Sequence, residues 1–244
     1  QKYGFEDARN VLERASARET AARVAAGALA RQFLAALGVT IRSHVTRIAS
    51  VEAPAPHDLQ PEDFAGVDDD PVRCLDADAS ARMIEEIDRL RKENESLGGT
   101  FEVRAWGLVP GLGSHVSWAE RLDGRVAQAM VSIQSVKGVS LGPAWDVAAS
   151  PGSEAHDEIF HSSERGYFRE TNRAGGVEGG MTNGEPLIAQ VAIKPISTLT
   201  KPLRSVDVHT KEPRQAHKER TDSTVVPAAG VVGEAMLALV LAAA

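Results

Sequence analysis

The chain has 244 residues, 43% of them hydrophobic and 25% charged, which is ordinary globular composition and enough for a substantial core. Its net charge of −7 gives no electrostatic basis for nonspecific binding to nucleic acid or to an anionic membrane, so an anionic ligand would need locally clustered Arg and Lys. The single cysteine, Cys74, excludes an internal disulfide framework and favours a reducing, cytoplasmic compartment. Because its neighbours are mainly carboxylates, which raise the pKa of a thiol, we interpret Cys74 as structural.

The first third of the chain predicts a helix, a strand and an acidic segment. Apolar residues in 13–37 recur at helical spacings as far as Gly38, and 39–51 is typical of a strand. Residues 52–79 carry four prolines and nine acidic side chains against one basic residue, so we expect a solvated surface excursion rather than core. The opening residues, QKYGFEDARN, show no initiator Met and no targeting segment, which we interpret as a cut start.

The rest of the chain predicts further helices and strands. Residues 79–97 and 122–133 have helical patterns, whereas 100–109, 187–196 and 203–209 are typical of strands. These elements alternate without the regular short loops of doubly wound units, so we predict an α+β layered fold in a single domain, residues 1–244.

The apolar C-terminal stretch, residues 225–244, is long enough to be considered as a membrane span. Pro227, Gly230, Gly233 and the charge of Glu234 argue against a span, because an unpaired charge is costly in hydrocarbon. We therefore predict a buried helix that starts after Pro227. Since the chain stops inside that helix, we interpret both termini as the ends of a fragment.

A glycine-rich stretch, AGGVEGGMTNGEP at residues 174–186, allows two interpretations. It is either a flexible surface loop or a loop whose backbone N–H groups approach an anionic or planar ligand, since glycine alone allows positive φ and close approach. Neither the dinucleotide-binding fingerprint nor the P-loop pattern is present.

Charged residues offer two further candidate sites. Arg14 and Arg18 are four residues apart, on one face of a helix, where with Ser16 they could hold a phosphate or carboxylate group. Potential metal ligands recur in the second half of the chain, but adjacent residues do not converge on one ion and no organising motif is present, so we favour a structural or substrate-shaping role. These potential ligands are His156, Asp157, Glu158, His209, Glu212 and His217.

Three ordered motifs resemble the chorismate synthase family. They are ERASARETAARVAAGAL at 13–29, NRAGGVEGGMTNGEP at 172–186 followed by VAIKPIST at 191–198, and AHKERTDSTVVPAAGVVGEAM at 216–236. Thr221 departs from the Ser, His or Phe usual at that position of the family. The family's N-terminal G-E-S-H-G motif and a later histidine motif would both precede Gln1.

The resemblance implies a β-α-β sandwich, with helices between two antiparallel sheets, assembled as a homotetramer. It also implies a 1,4-anti elimination of phosphate from 5-enolpyruvylshikimate 3-phosphate, the final step of the shikimate pathway, which gives chorismate and requires reduced FMN. Whether that flavin is reduced by an intrinsic NADPH-dependent activity or by other enzymes stays open.

The resemblance also implies roles for individual residues. Asp222 would handle a proton near the flavin, and Arg18 would bind substrate. Cofactor-binding roles would fall to Arg14, Ala15, Ser16, Gln134, Ser135, Gly179, Lys194, Pro195, Ile196, Ser197, Thr198 and Arg220.

Two other hypotheses compete with this one. The first is a noncatalytic assembly or binding module that keeps the fold. The second is a metal-dependent hydrolase using His156, Asp157, Glu158 and His217, which would bind a divalent metal and no flavin.

Overall fold

The computed structural model describes residues 2–5, 7, 9–15, 18–216, 218 and 222–244, and of residues 12–14 it describes the backbone alone. The helices are α1 (Arg9–Ala15), α2 (Arg18–Ala36), α3 (Ala77–Lys92), α4 (Leu122–Val131), α5 (Ala144–Ala149), α6 (Gly152–Ala155) and α7 (Val226–Ala242), with a 3-10 helix at Pro61–Phe64. The strands are β1 (Thr40–Ile48), β2 (Val51–Glu52), β3 (Gly99–Trp106), β4 (Val136–Leu141), β5 (Phe160–Ser162), β6 (Gly166–Phe168), β7 (Val177–Glu178), β8 (Met181–Thr182), β9 (Leu187–Ile193), β10 (Arg204–Val206) and β11 (Pro213–Gln215).

The main sheet has five antiparallel strands in the order β2-β1-β3-β9-β4. The two-residue period of a strand puts Val45, Phe101 and Val191, which lie in register, on one face, where all three are buried. This face forms the core with α7, α4 and α2. The remaining strands pair as the two-stranded ribbons β5–β6, β7–β8 and β10–β11. The α+β prediction is confirmed.

Two glycines let the layers of this core approach closely. A Cβ at Gly233 of α7 would lie 2.8 Å from Phe101 and 2.9 Å from Val103, so only glycine fits against the sheet there. A Cβ at Gly27 of α2 would lie 2.4 Å from the Cβ of Ala235, on the side of α7 away from the sheet. The order of layers is therefore sheet, α7, α2.

The acidic segment differs from its prediction as a wholly solvated excursion. Its carboxylates are mostly exposed, but Phe64 and Val67 are buried with Trp106 in a small separate cluster. The Phe64 ring meets the rings of Trp106 and His44 edge-on, at centroid distances of 5.4 and 5.3 Å. The composition of the segment is dominated by charged residues and proline, so composition alone does not predict that a few of its apolar residues are buried and anchor it.

The C-terminal helix is close to its prediction. It begins at Val226, with Pro227 in the first turn, where a missing N–H costs nothing. The Glu234 carboxylate is buried and paired with the guanidinium groups of Arg31 and Arg73. Within the described residues, no helix is both long and apolar enough to cross a membrane.

Candidate functional site

One end of the main sheet collects several of the predicted site residues. Ile48 lies in register with Gly99, Gly99 with Ile193, and Ile193 with Val136. The segments that enter or leave these four strands therefore emerge side by side. We call this region the strand-end site; it comprises residues 18–23, 132–135, 96–98, 194–198 and 222–224.

The turn between α4 and β4 forms the centre of the strand-end site. Ser135 has a φ of +67°, which turns the chain sharply into β4, and its carbonyl oxygen accepts the backbone N–H of Lys194 at 2.9 Å. The Gln134 side chain donates to Glu19 Oε2 at 3.0 Å. These two contacts connect the turn both to the segment after β9 and to the first turn of α2.

The start of α2 is fixed against this turn by a small ionic network. Arg23 pairs with Glu19 at 2.9 Å, four residues apart on one helical face, and its Nη1 donates to Ser132 Oγ at 2.8 Å. Glu19 thereby accepts from both Arg23 and Gln134. Arg18, the first residue of α2, is exposed at this corner.

Residues 194–198 leave β9 without regular structure and lie against residues 96–98. Ser96 Oγ donates to the carbonyl oxygen of Ile196 at 2.8 Å. A Cβ at Gly98 would lie 2.4 Å from the carbonyl oxygen of Ile193, so glycine is needed for this approach. Lys194 is exposed and makes no ion pair with any other described residue, which leaves its charge available to an anion.

The segment that carries Asp222 joins the same region through Leu97. The backbone N–H of Leu97 donates to the carbonyl oxygen of Ser223 at 2.7 Å, and Leu97 forms an isolated parallel β-bridge with Thr224. Asp222 itself is exposed. The structure therefore brings together predicted residues that are up to 204 positions apart, as between Arg18 and Asp222. Those gathered are Arg18, Gln134, Ser135, Lys194, Pro195, Ile196, Ser197, Thr198 and Asp222.

The other predicted positions fall into two groups. Ala15 ends α1 just before this corner, and Arg14 belongs to the stretch described by its backbone alone. Ser16, Arg220, Thr221 and His217 lie outside the described residues.

Gly179 is separated from the strand-end site. It lies in the β7–β8 hairpin, where the carbonyl oxygen of the next residue, Gly180, accepts the N–H of Leu122 at 2.9 Å. Leu122 begins α4, whereas Gln134 and Ser135 follow its other end. A helix of 10 residues is about 15 Å long, so Gly179 and the turn lie roughly that far apart.

The glycine-rich stretch owes much of its composition to packing within the protein. A Cβ at Gly175 would lie 2.3 Å from the backbone nitrogen of Gly142, and one at Gly176 would lie 2.4 Å from the carbonyl oxygen of Pro186. Gly179, in contrast, is exposed and has open space around it. At Gly175 and Gly176, glycine is therefore required because the backbone packs closely against other backbone of the same chain, and this requirement does not indicate a ligand.

Asp157 holds this glycine-rich stretch in place. Its carboxylate accepts from Thr171 Oγ1 at 2.5 Å and from the backbone N–H groups of Arg173 and Ala174, both at 2.9 Å. Burial would raise the pKa of Asp157, but these hydrogen bonds outweigh it and hold the pKa below its ordinary value. The adjacent His156 and Glu158 are exposed, and the described part of the chain contains no group of three or more side chains able to hold a metal ion.

A buried polar network, which the sequence did not reveal, occupies the other face of the sheet. His44 Nε2 lies 3.1 Å from Glu102 Oε2, and Arg104 donates to the same oxygen and to the carbonyl oxygens of Pro56 and His57. Burial would raise the pKa of Glu102, but the hydrogen bond from His44 and the charge of Arg104 keep it low. This network anchors the acidic segment to the sheet, away from the strand-end site.

The architecture and this site define an α+β protein in which several distant segments meet at one end of an antiparallel sheet. The chorismate synthase family profile matches residues 1–244, and the chain belongs to that family.

Individual relatives agree with this assignment. The chain is 58% identical over 241 residues to the chorismate synthase of Carboxydothermus hydrogenoformans and 57% identical over 244 residues to that of Thermobifida fusca. These alignments cover 98% and 99% of this chain and 62% of each relative. A crystal structure of chorismate synthase superposes with a TM-score of 0.84 at 43% identity, covering 99% of this chain and 67% of that one. The chain thus spans 62% of the length of these two curated relatives.

Proposed function

We propose that this chain carries part of the active site of a chorismate synthase, a lyase that eliminates phosphate from 5-enolpyruvylshikimate 3-phosphate to give chorismate. The observation that carries the proposal is the strand-end site, where Arg18, Gln134, Lys194 and Asp222 come together from four separate segments. In a member of this family, a pocket that joins these positions is the best candidate for holding the flavin and the substrate.

Reduced FMN fits the strand-end site on local grounds. Lys194 is an exposed cation without a carboxylate partner among the described residues, and it lies in a segment of irregular backbone that also carries Ser197. A cation with nearby hydroxyl and amide groups suits the ribityl phosphate. We assign Lys194 to Thr198 to that phosphate, and Gln134 and Ser135 to the neighbouring part of the cofactor.

The bound flavin would supply the electron density that eases departure of phosphate from an allylic carbon. The chain's own residues would bind and orient the ligands and exclude water. Arg14 with Ala15 and Ser16 would meet the flavin from the start of the α2 region, and Arg220 would pair with an anionic group of flavin or substrate. Gly179, which lies beyond the other end of α4, is the weakest member of the proposed set.

Arg18 and Asp222 have the roles closest to the substrate. Arg18 lies at the first turn of α2, where helix N–H groups and a guanidinium both favour an anion such as the substrate's phosphate or carboxylate. Asp222 would act in proton transfer near the flavin, because a carboxylate positioned there can relay the proton that the elimination removes.

We propose a cytoplasmic homotetramer as the working form. An exposed apolar row along the C-terminal half of α2 and the residue after it supports contact with further protein surface. Leu29, Phe33 and Leu37 follow one another at four-residue intervals and are 70%, 55% and 63% exposed. Exposed apolar rows of this kind usually pack against another surface.

A chimera tests the proposed reaction. The chain would be joined to the preceding segment of the Carboxydothermus hydrogenoformans relative and assayed anaerobically for chorismate with 5-enolpyruvylshikimate 3-phosphate. We expect turnover with reduced FMN and none with oxidised FMN. Equal turnover without flavin, or dependence on a divalent metal instead, would contradict the proposal.

A further inference from the structure

Three arginines meet beside the first residues of β1, far from the strand-end site. Arg31 comes from α2, Arg42 from β1 and Arg73 from the acidic segment. Arg31 Nη2 and Arg42 Nη1 donate to the same acceptor, the carbonyl oxygen of Ile41, at 3.2 and 3.1 Å. Two like charges are therefore held within a few ångströms of one another.

The carboxylates nearby do not balance these charges. Glu234, whose side chain is 4% exposed, accepts from Arg31 Nη1 at 2.6 Å and from Arg73 Nη2 at 2.9 Å, so a single buried carboxylate serves two guanidinium groups. Asp68 pairs with Arg73 from a position that is 81% exposed, where solvent weakens its effect. Arg42 forms no ion pair within the described part of the chain.

The electrostatics of Arg73 reflect this imbalance. Burial lowers the pKa of its guanidinium most, Glu234 opposes that change, and the charges of Arg31 and Arg42 lower it further. An additional negative charge beside Arg31 and Arg42 would relieve this repulsion.

A cavity lies where such a charge would sit. Its volume is about 270 Å³, and its polar lining comes from Arg31, Gln32, Thr40 and Arg42. Arg31 and Arg42 each retain N–H groups beyond those they already donate, and these can bind an oxyanion, while the Gln32 amide and the Thr40 hydroxyl add neutral donors. The cavity is large enough for a phosphate group.

We propose that this cavity binds a small oxyanion of the phosphate class, held by Arg31 and Arg42. The site is separate from the proposed flavin site, because it lies at Thr40, where β1 begins, and the flavin site lies beyond Ile48, where β1 ends. The two ends of a nine-residue strand are about 27 Å apart. Free phosphate and the phosphate group of a small organic ester share the required chemistry.

Isothermal titration calorimetry with inorganic phosphate, and in a second arm with glycerol 3-phosphate, tests this proposal. All proteins carry Lys194→Ala, so that the proposed flavin phosphate site does not contribute, and each is measured both as the 244-residue chain and as the chimera. Ionic strength is matched with sodium chloride. Tighter binding of the ester than of free phosphate would identify an organic phosphate as the ligand, and the reverse order would identify phosphate itself.

Arg42→Gln is the test variant and Arg47→Gln its control. Both arginines lie on β1, but Arg47 is already paired with Glu52 at 2.6 Å. Loss of one charge-assisted contact should weaken binding on the order of tenfold in Arg42→Gln and leave it within about twofold in Arg47→Gln. Undiminished affinity in Arg42→Gln, or absence of binding in the parent, would overturn the proposal.

Thermal unfolding provides a second readout, which reports both the stability of the unliganded protein and its stabilisation by bound phosphate. In chloride alone, Arg42→Gln should unfold at the same temperature as its parent or higher, because it removes one member of a like-charged cluster. In phosphate, the parent should gain more stability than Arg42→Gln does, because the variant binds more weakly. A variant that is much less stable in chloride would show that Arg42 is structural, which would also overturn the proposal.

Discussion

Lys194 donates its backbone N–H to the carbonyl oxygen of Ser135 at 2.9 Å, so the end of β9 and the turn before β4 are held together. The bond orders the backbone of Lys194 while its side chain stays exposed. Ser135 contributes the unusual φ of +67° that aims its carbonyl at this partner. This arrangement presents a cation at a defined place without neutralising it.

Removing that cation should weaken flavin binding more than it perturbs folding. In the chimera, we expect Lys194→Ala to raise the dissociation constant for reduced FMN by roughly one to two decades, since a charge-assisted contact contributes about 1.5 to 3 kcal/mol. Family resemblance leads us to expect the same of Arg220→Ala. Anaerobic fluorescence titration would measure the dissociation constant of each variant for reduced FMN. Lys201→Ala is the control, because Lys201 already pairs with Glu95 at 2.7 Å. Unchanged flavin affinity in both Lys194→Ala and Arg220→Ala would contradict these assignments.

Asp222→Asn should impair turnover while leaving binding intact. The amide keeps the size of the side chain but cannot accept the proton, so we expect turnover in the chimera to fall about a hundredfold or more. Chorismate formation would be measured alongside flavin and substrate affinity. Asp207→Asn serves as the control on a half-buried loop aspartate outside the strand-end site. Near-normal turnover would mean that Asp222 has only a structural role.

Glu234→Ala should destabilise the fold strongly. It would leave the guanidinium groups of Arg31 and Arg73 without their shared buried carboxylate, and breaking a buried pair in this way typically costs about 3 to 5 kcal/mol. Urea unfolding would measure the loss. Glu52→Ala breaks the exposed pair with Arg47 and should cost less than about 1 kcal/mol. Similar losses in the two variants would contradict the special role of the buried network.

Asp157 should make the glycine-rich stretch sensitive to acid. Its pKa is lowered in the folded state and lies near 3.9 in an unfolded chain, so its contribution to stability is complete above about pH 4 and is lost as pH falls through the folded pKa. Asp157→Asn should remove this dependence. Hydrogen exchange of the Arg173 and Ala174 amides, measured at pH 7 and below pH 4 and expressed as protection relative to the intrinsic rate at each pH, should show a loss of protection in acid for the parent protein alone. Equal pH dependence of the two proteins would contradict the assignment.

The local sequence pattern predicts the positions of the main helices well, whereas it predicts most strands over only part of their length. Apolar spacing and flanking glycine or proline located α2, α3, α4 and α7 to within a few residues. Strand β4 was missed because Lys137 and Gly138 interrupt its pattern. In the structure a register shift between Val136 and Gly138 absorbs that interruption while the strand pairs with β9. The predicted strand 187–196 ends at Ile193, after which Pro195 cannot supply an N–H to the sheet.

Long-range relationships were beyond the sequence. In the sequence Glu234 is only a charge in an apolar helix, and its partners Arg31 and Arg73 are 203 and 161 residues away. Asp157 is a potential metal ligand in the sequence because its neighbours are His156 and Glu158. Its contacts are instead with residues 171–174, across a chain reversal that no local spacing encodes. The resemblance identified the strand-end residues, whereas sheet register explains why they meet.

We propose that this chain supplies part of a flavin and substrate site, and that the family's N-terminal histidine motifs supply the remaining catalytic groups. An anaerobic chorismate assay, with reduced FMN and 5-enolpyruvylshikimate 3-phosphate in excess, would compare the 244-residue chain with the chimera at equal concentration. We expect turnover by the chimera and none by the chain alone, because Asp222 would act without the groups that protonate the departing phosphate. Robust turnover by the 244-residue chain would contradict this account of which residues perform the chemistry.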